Sequence, residues 1–225
     1  AIVVAYGQII PKDFLTLSKE GFINLHASIL PKWRGAAPIQ RSIINHDKET
    51  GISVMKINEK LDEGDVSNIF KIDISENENA QSLSERLSIL ASEKISDIID
   101  GIFDKEVHFK PQDHSNATYA EKIKKTEGLI DWNDLAENII GKINGLYPYP
   151  GGYFIYKEER YKILKAEKSF SKDAPGKVLT NDLEISCGNN SIKILEIQRE
   201  GKKSQNINEF ILGTQIKKGT NLLDV

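Results

Sequence analysis

The sequence predicts an α/β protein: a partial, open, doubly wound sheet over residues 1–104, a connector over 105–126, and a small β-barrel of the OB type over 127–225. Three observations carry this reading. Up to residue 104, short apolar runs alternate with segments of helical period. The stretch 105–126, with Pro111, His114, Ser115, Asn116 and several lysines, sustains no period. Past the breaker Pro148-Tyr149-Pro150-Gly151-Gly152, short runs of period two follow one another between turn residues.

The opening run Ile2-Val3-Val4-Ala5-Tyr6-Gly7 is continuously apolar and ends on glycine, the pattern of a parallel strand covered on both faces; a strand is expected over 2–5. A chain that opens on Ala1 and directly on such a strand reads as the downstream part of a longer protein. Pro11 suits the first turn of a short helix over 11–17, because its fixed φ is helical and its missing N–H is not needed there. A strand over 22–26 and a helix over 38–44 follow, the helix with Ile39, Ile43 and Ile44 on one side. Strands are expected over 52–57 and 66–74. The longest helix, 80–103, carries Leu83, Leu87, Leu90, Ile95, Ile98 and Ile102 along one stripe. The second half is expected to hold a helix over 135–146 and strands over 153–156, 161–166, 177–179, 183–187 and 192–198. A helical turn is expected over 208–212, and Gly188-Asn189-Asn190 marks a tight turn.

Composition narrows the class. With 39% hydrophobic and 28% charged residues the chain is globular, not disordered or fibrous. A net charge of -3 excludes a uniformly basic nucleic-acid binder and leaves local basic surfaces open. The single cysteine, Cys187, excludes an internal disulfide framework and fits a reducing cytoplasm; its place in an alternating run makes it a buried thiol. No apolar run approaches the roughly 20 residues of a membrane helix, so no membrane partner is expected.

The chemistry concentrates between residues 24 and 65. Asn24 and His26 are two apart on an expected strand and face one side, where the strand gives way to a loop. An amide and an imidazole there suit polarising a carbonyl and handling a proton, although a polar strand end with a satisfied histidine has the same pattern. Asp62 follows the next strand. If the two strands are parallel neighbours, their loops share one sheet edge and the carboxylate can orient His26 and stabilise its protonated form; an ordinary turn aspartate would look the same. His46, His108 and His114 show no ligand spacing, so no metal is expected.

In combination, Asn24-x-His26, Ser28-Ile29-Leu30-Pro31-x-x-Arg34-Gly35 and Leu61-Asp62-x-Gly64-Asp65, with 36 positions between His26 and Asp62, resemble the folate-dependent formyltransferases. The run from Arg34 to Arg41, Thr118-Tyr119-Ala120-x-Lys122-Ile123, Ile130-Asp131-Trp132 and Tyr149-Pro150-Gly151 resemble the branch that acts on methionyl-tRNA, across essentially the whole chain. The resemblance implies a formyltransferase-type, Rossmann-like sheet lacking amino-terminal βαβ units, on the order of 60–90 residues at ~30 or more per unit. One loop of those units contributes to transfer-RNA contact in the family. It implies 10-formyltetrahydrofolate as donor and the methionine amino group of initiator methionyl-tRNA as acceptor. Asn24 and His26 would stabilise the oxyanion, Asp62 would hold the charge on His26, and Ser28, Ile29, Leu30 and Pro31 would line the folate pocket. It also implies a role in translation initiation, in the cytoplasm of a bacterium or an organelle of bacterial origin. Arg34 would shape the loop or meet phosphate. Lys122, Lys124 and Lys125, and the recurring Lys157, Arg160, Lys162, Lys165 and Lys168, would form a track for the transfer-RNA backbone, or else a solvated mixed surface. The competing readings are a formyltransferase acting on a sugar amine, and an inactive folate- or RNA-binding remnant.

Overall fold

A computed structural model describes residues 1–7, 10–213 and 216–223. The chain divides into two compact units, one of Ala1–Ser42 with Asp47–Ile123, the other of Ile43–His46 with Lys124–Val225.

In chain order the first half holds β1 (Ile2–Val3), α1 (Lys12–Leu15), β2 (Ile23–His26), β3 (Arg34–Gly35), α2 (Pro38–Ile44), β4 (Glu49–Lys56), β5 (Val66–Asp73), α3 (Ala80–Phe103) and β6 (Tyr119–Ala120). The first unit is built on a mixed sheet of order β1-β2-β4-β5. β1 lies parallel to β2, but β4 runs antiparallel to both β2 and β5. The expectation that strands 22–26 and 52–57 are parallel neighbours is therefore corrected. A continuous apolar run encodes burial on both faces, not direction. The six central residues of β4 are all buried, as in a parallel strand. β4 also begins earlier than expected, because Gly51 belongs to it: a Cβ there would stand 2.2 Å from the Phe70 carbonyl oxygen, so the close approach of β5 requires glycine.

α3 joins the expected apolar stripe to a cap found in the structure. Asn79 caps it by accepting from Ser82 N–H while Ser82 Oγ reaches back to the Asn79 backbone. Leu83, Leu87 and Ile98 are buried, and Leu90, Ile95 and Ile102 half-buried, along the stripe that faces β4. β1 is shorter and more open than its sequence suggests. Val4, Tyr6, Phe14 and Leu17 are more than half exposed, and among the described residues no strand flanks β1 opposite β2.

The second unit contains α4 (Ala136–Gly145), β7 (Gly152–Tyr156), β8 (Glu159–Ser169), β9 (Glu184–Ser186), β10 (Ser191–Arg199), β11 (Gln205–Asn206) and α5 (Ile207–Phe210). Its strands form an antiparallel sheet of order β11-β10-β8-β7, with β9 also paired to β10. Lys157 and Glu158 join β7 to β8 with φ of 50° and 63°, as a two-residue hairpin turn of right-handed strands demands. Inward-facing residues close over Trp132, which meets Phe154 edge-on at 5.8 Å, while Phe154 stacks on Tyr161 at 5.3 Å. The expected strand over 177–179 reduces to single bridges, Lys177 to Asn221 and Val178 to Ile185. Among the described residues no helix is long and apolar enough to cross a membrane.

Candidate active site

The site grows from the carboxyl end of β2. Successive side chains of a strand alternate, so Asn24 and His26 share a face. His26 is 6% exposed. Asn24 is half-buried, and its amide has no hydrogen-bond partner among the described residues. The chain then turns through residues 27–33 in a loop fixed from within. Ser28 Oγ donates to the Lys32 carbonyl at 2.6 Å, Ser53 Oγ donates to the Ser28 carbonyl at 2.6 Å, and Leu30 N–H donates back to Ser53 Oγ at 3.0 Å.

At the end of this loop Trp33 adopts φ 61°, a left-handed conformation that is rare for a bulky side chain. Several bonds hold it there. Its indole Nε1 donates to Asp47 Oδ2 at 2.7 Å, and its backbone N–H donates to Thr118 Oγ1 at 2.9 Å. The result points the Trp33 carbonyl at His26, whose Nε2 lies 2.9 Å away. A carbonyl only accepts, so Nε2 carries the proton. The other ring nitrogen, Nδ1, faces Asp62 Oδ2 at 3.7 Å, an ion-pair distance too long for a hydrogen bond. Nε2 is thus engaged by a carbonyl, while Nδ1 faces a carboxylate across a gap that no hydrogen bond closes.

Asp62 reaches this place by a route the sequence did not indicate. β4 ends beside the start of β2, remote from His26, since Lys56 pairs with Ile23 and Ser53 with His26. Residues 57–65 then fold back. Gly64 lies so close to β4 that a Cβ would stand 1.8 Å from the Lys56 carbonyl oxygen. Asp62 itself takes φ 49°. Its Oδ2 accepts the Gly35 N–H at 2.8 Å, and Gly35, at φ 113°, is pinned by pairing of β3 with β6.

Arg34, expected either to shape this loop or to meet phosphate, is turned inward. It is 1% exposed, with Nε and Nη2 donating to Gln112 Oε1 at 3.1 and 2.8 Å and Nη1 standing 3.5 Å from Glu63. It is a buried anchor of the Asp62 loop, because a guanidinium so enclosed cannot present itself to phosphate. Ser28 and Leu30 are 0% and 4% exposed, so their side chains support the loop from inside; Ile29 and Pro31 remain half-exposed beside them. Lys122, Lys124 and Lys125 are all exposed, the first in the first unit and the others in the second. No group of three or more His, Cys, Asp or Glu among the described residues could hold a metal ion. Sequence reasoning missed Gln112 and the Trp33 carbonyl. Gln112 sits in a stretch without period, and a backbone carbonyl leaves no mark in sequence; the run Thr118-Tyr119-Ala120 was the available hint that this stretch packs on the site.

The family model described as "Formyl transferase" matches residues 1–99, and "Formyl transferase, C-terminal domain" matches residues 122–215. The chain belongs to the formyl transferase family, a family of enzymes. It is 65% identical over 225 residues to the methionyl-tRNA formyltransferase of Pelagibacter ubique, covering all of this chain and 73% of that protein. Among solved structures it is similar to HypX from Aquifex aeolicus in complex with tetrahydrofolic acid, with a TM-score of 0.73 at 16% identity over 96% of this chain and 39% of that one. It is also similar to WlaRD, a sugar 3N-formyl transferase, with a TM-score of 0.70 at 18% identity over 90% of this chain and 73% of that one.

Proposed function

We propose that this protein transfers the formyl group of 10-formyltetrahydrofolate to the amino group of methionine on initiator methionyl-tRNA, in the cytoplasm, for translation initiation. The observation that carries the chemistry is the placement of His26 between the Trp33 carbonyl and the Asp62 carboxylate, two residues from the unpartnered amide of Asn24.

The reaction follows from that geometry. The neutral methionine amine attacks the formyl carbon, the C–N bond forms, and the formyl oxygen takes negative charge in a tetrahedral intermediate. Asn24 N–H and His26 Nδ1–H, which at 3.7 Å makes no hydrogen bond to Asp62, donate to that oxygen, a role worth about 3–4 kcal/mol per well-placed donor. Asp62 balances the charge on His26 and relays the proton leaving the amine. The intermediate collapses with cleavage of the bond from carbon to N10, which leaves as the protonated amine of tetrahydrofolate. Residues 28–31 line the folate pocket through backbone groups and the half-exposed Ile29 and Pro31.

For the acceptor, support comes from the name of the relative at 65% identity and from basic surface. Beyond the exposed Lys122, Lys124 and Lys125, a cavity of ≈ 620 Å³ in the second unit is lined by Lys157, Arg199, Lys202 and Lys203 against Glu159 and Glu209. A cationic excess of this kind suits a phosphodiester backbone. The likeness to a sugar formyltransferase, at 18% identity, is one of fold alone. The test is formyl transfer from 10-formyltetrahydrofolate by the protein expressed from its full reading frame. Transfer to charged initiator transfer RNA, with none to amino sugars, is the expected result. Transfer to an amino sugar alone would overturn the reading.

A further inference from the structure

We propose that Gln112 is the positioning residue of the site: it sets the Asp62 loop, and through Asp62 the orientation of His26. This rests on the reading of His26 and Asp62 as the reacting pair.

The Gln112 side chain is buried, at 8% exposure. Its Oε1 accepts two bonds from Arg34, and its Nε2 donates to the Asp62 carbonyl at 2.8 Å and the Gly64 carbonyl at 2.7 Å. Every hydrogen-bonding valence of the amide is used. Its orientation is dictated by chemistry, since a guanidinium offers only donors and two carbonyls only acceptors; a flipped amide would set donors against donors and oxygen against oxygens.

What the amide holds is a loop that would otherwise relax. Asp62 sits at φ 49°, a conformation that persists only where the surroundings over-determine it. Gln112 ties its backbone to Arg34, while Gly35, the next residue, takes its carboxylate at 2.8 Å. Both ends of Asp62 are thus clamped to two consecutive residues of β3. β3 is fixed in turn by the segment that follows Gln112: Arg34 N–H donates to the Thr118 carbonyl and Ala36 N–H to the Ala120 carbonyl, both at 2.9 Å. Gln112 hydrogen-bonds backbone carbonyls and a guanidinium and none of the three reacting side chains, so its effect runs through Asp62.

The test uses the protein from its full reading frame with two substitutions. Gln112→Met keeps the length and fills the space but removes all four bonds. Gln112→Glu keeps acceptance from Arg34 and replaces the two donors with an oxygen facing two carbonyls. Two readouts are taken: kcat and KM for both substrates, and the ring ¹⁵N resonances of His26. The expected result is a fall in kcat of at least about tenfold, with both KM values within about twofold of the parent. The His26 Nδ1 resonance should shift toward its position in Asp62→Asn. A folded Gln112→Glu protein with parental kcat and an unmoved His26 resonance would overturn the proposal. So would failure of both variants to fold, which would make Gln112 a general support of the unit. Should the parent transfer no formyl group to any acceptor, the functional reading fails instead, while the His26 resonances still report on Gln112.

Discussion

Gly35 donates its backbone N–H to Asp62 Oδ2 at 2.8 Å, and the same oxygen stands 3.7 Å from His26 Nδ1. One carboxylate oxygen is therefore anchored by a neutral, rigid donor and directed at an ionisable ring. A backbone donor cannot rotate away, so the carboxylate keeps its aim without a second charge that would compete for it.

That anchoring depends on close approach. At Gly64 a Cβ would stand 1.8 Å from the Lys56 carbonyl oxygen, which backbone cannot yield cheaply. Gly64→Ala is expected to lower stability by about 1–3 kcal/mol, as overpacking does. It should lower turnover by a larger factor than folding alone explains, because the loop carrying Asp62 must shift. Urea unfolding and kcat measured on one preparation check this; unchanged turnover in a destabilised protein would separate the loop from the chemistry.

Electrostatic engagement of the acceptor is expected to run through exposed lysines. Replacing Lys122, Lys124 and Lys125 by glutamine should weaken transfer-RNA binding. It should flatten the slope of log affinity against log salt by about 0.7–0.9 for each lysine–phosphate pair removed, with folate affinity unchanged. Binding isotherms between low and moderate salt decide it. An unaltered slope would make these lysines solvated surface.

Burial pushes the Cys187 thiol up from 9.0 to about 12, and its side chain is 3% exposed. The folded state holds the proton longer than the unfolded chain. The stabilisation tied to this group is therefore fully present below pH 9 and is lost as pH rises through 12. Native protein should react with a thiol reagent at pH 8 only as fast as it opens, and unfolded protein at once. Comparing denaturation of the parent and Cys187→Ala across the alkaline range should show the parent losing stability more steeply; parallel curves would contradict the assignment.

The extent to which the sequence foretold all this varies element by element. Helices 38–44 and 80–103 were legible because their apolar stripes are local signals. The direction of β4 was not, since antiparallel and parallel strands buried on both faces share one pattern. The two-residue strands β3 and β6 are too short to leave a period, yet they position Gly35. Asn24 and His26 could be placed on one face from their spacing alone. The approach of Asp62 could not be derived from strand neighbours, because the fold-back of residues 57–65 is a tertiary event. The inward turn of Arg34 was hidden for the same reason: its partner Gln112 lies 78 positions away.

The most direct test of the account is a double-mutant cycle on His26 and Asp62, measured as single-turnover formyl transfer to charged initiator transfer RNA by the protein from its full reading frame. If the two residues act as one unit, His26→Ala should slow transfer by about a hundredfold or more. Asp62→Asn added to it should slow transfer little further, well short of the product of the two separate losses. A folded His26→Ala protein with near-parental transfer, or losses that multiply in full, would contradict the central claim that Asp62 works through His26.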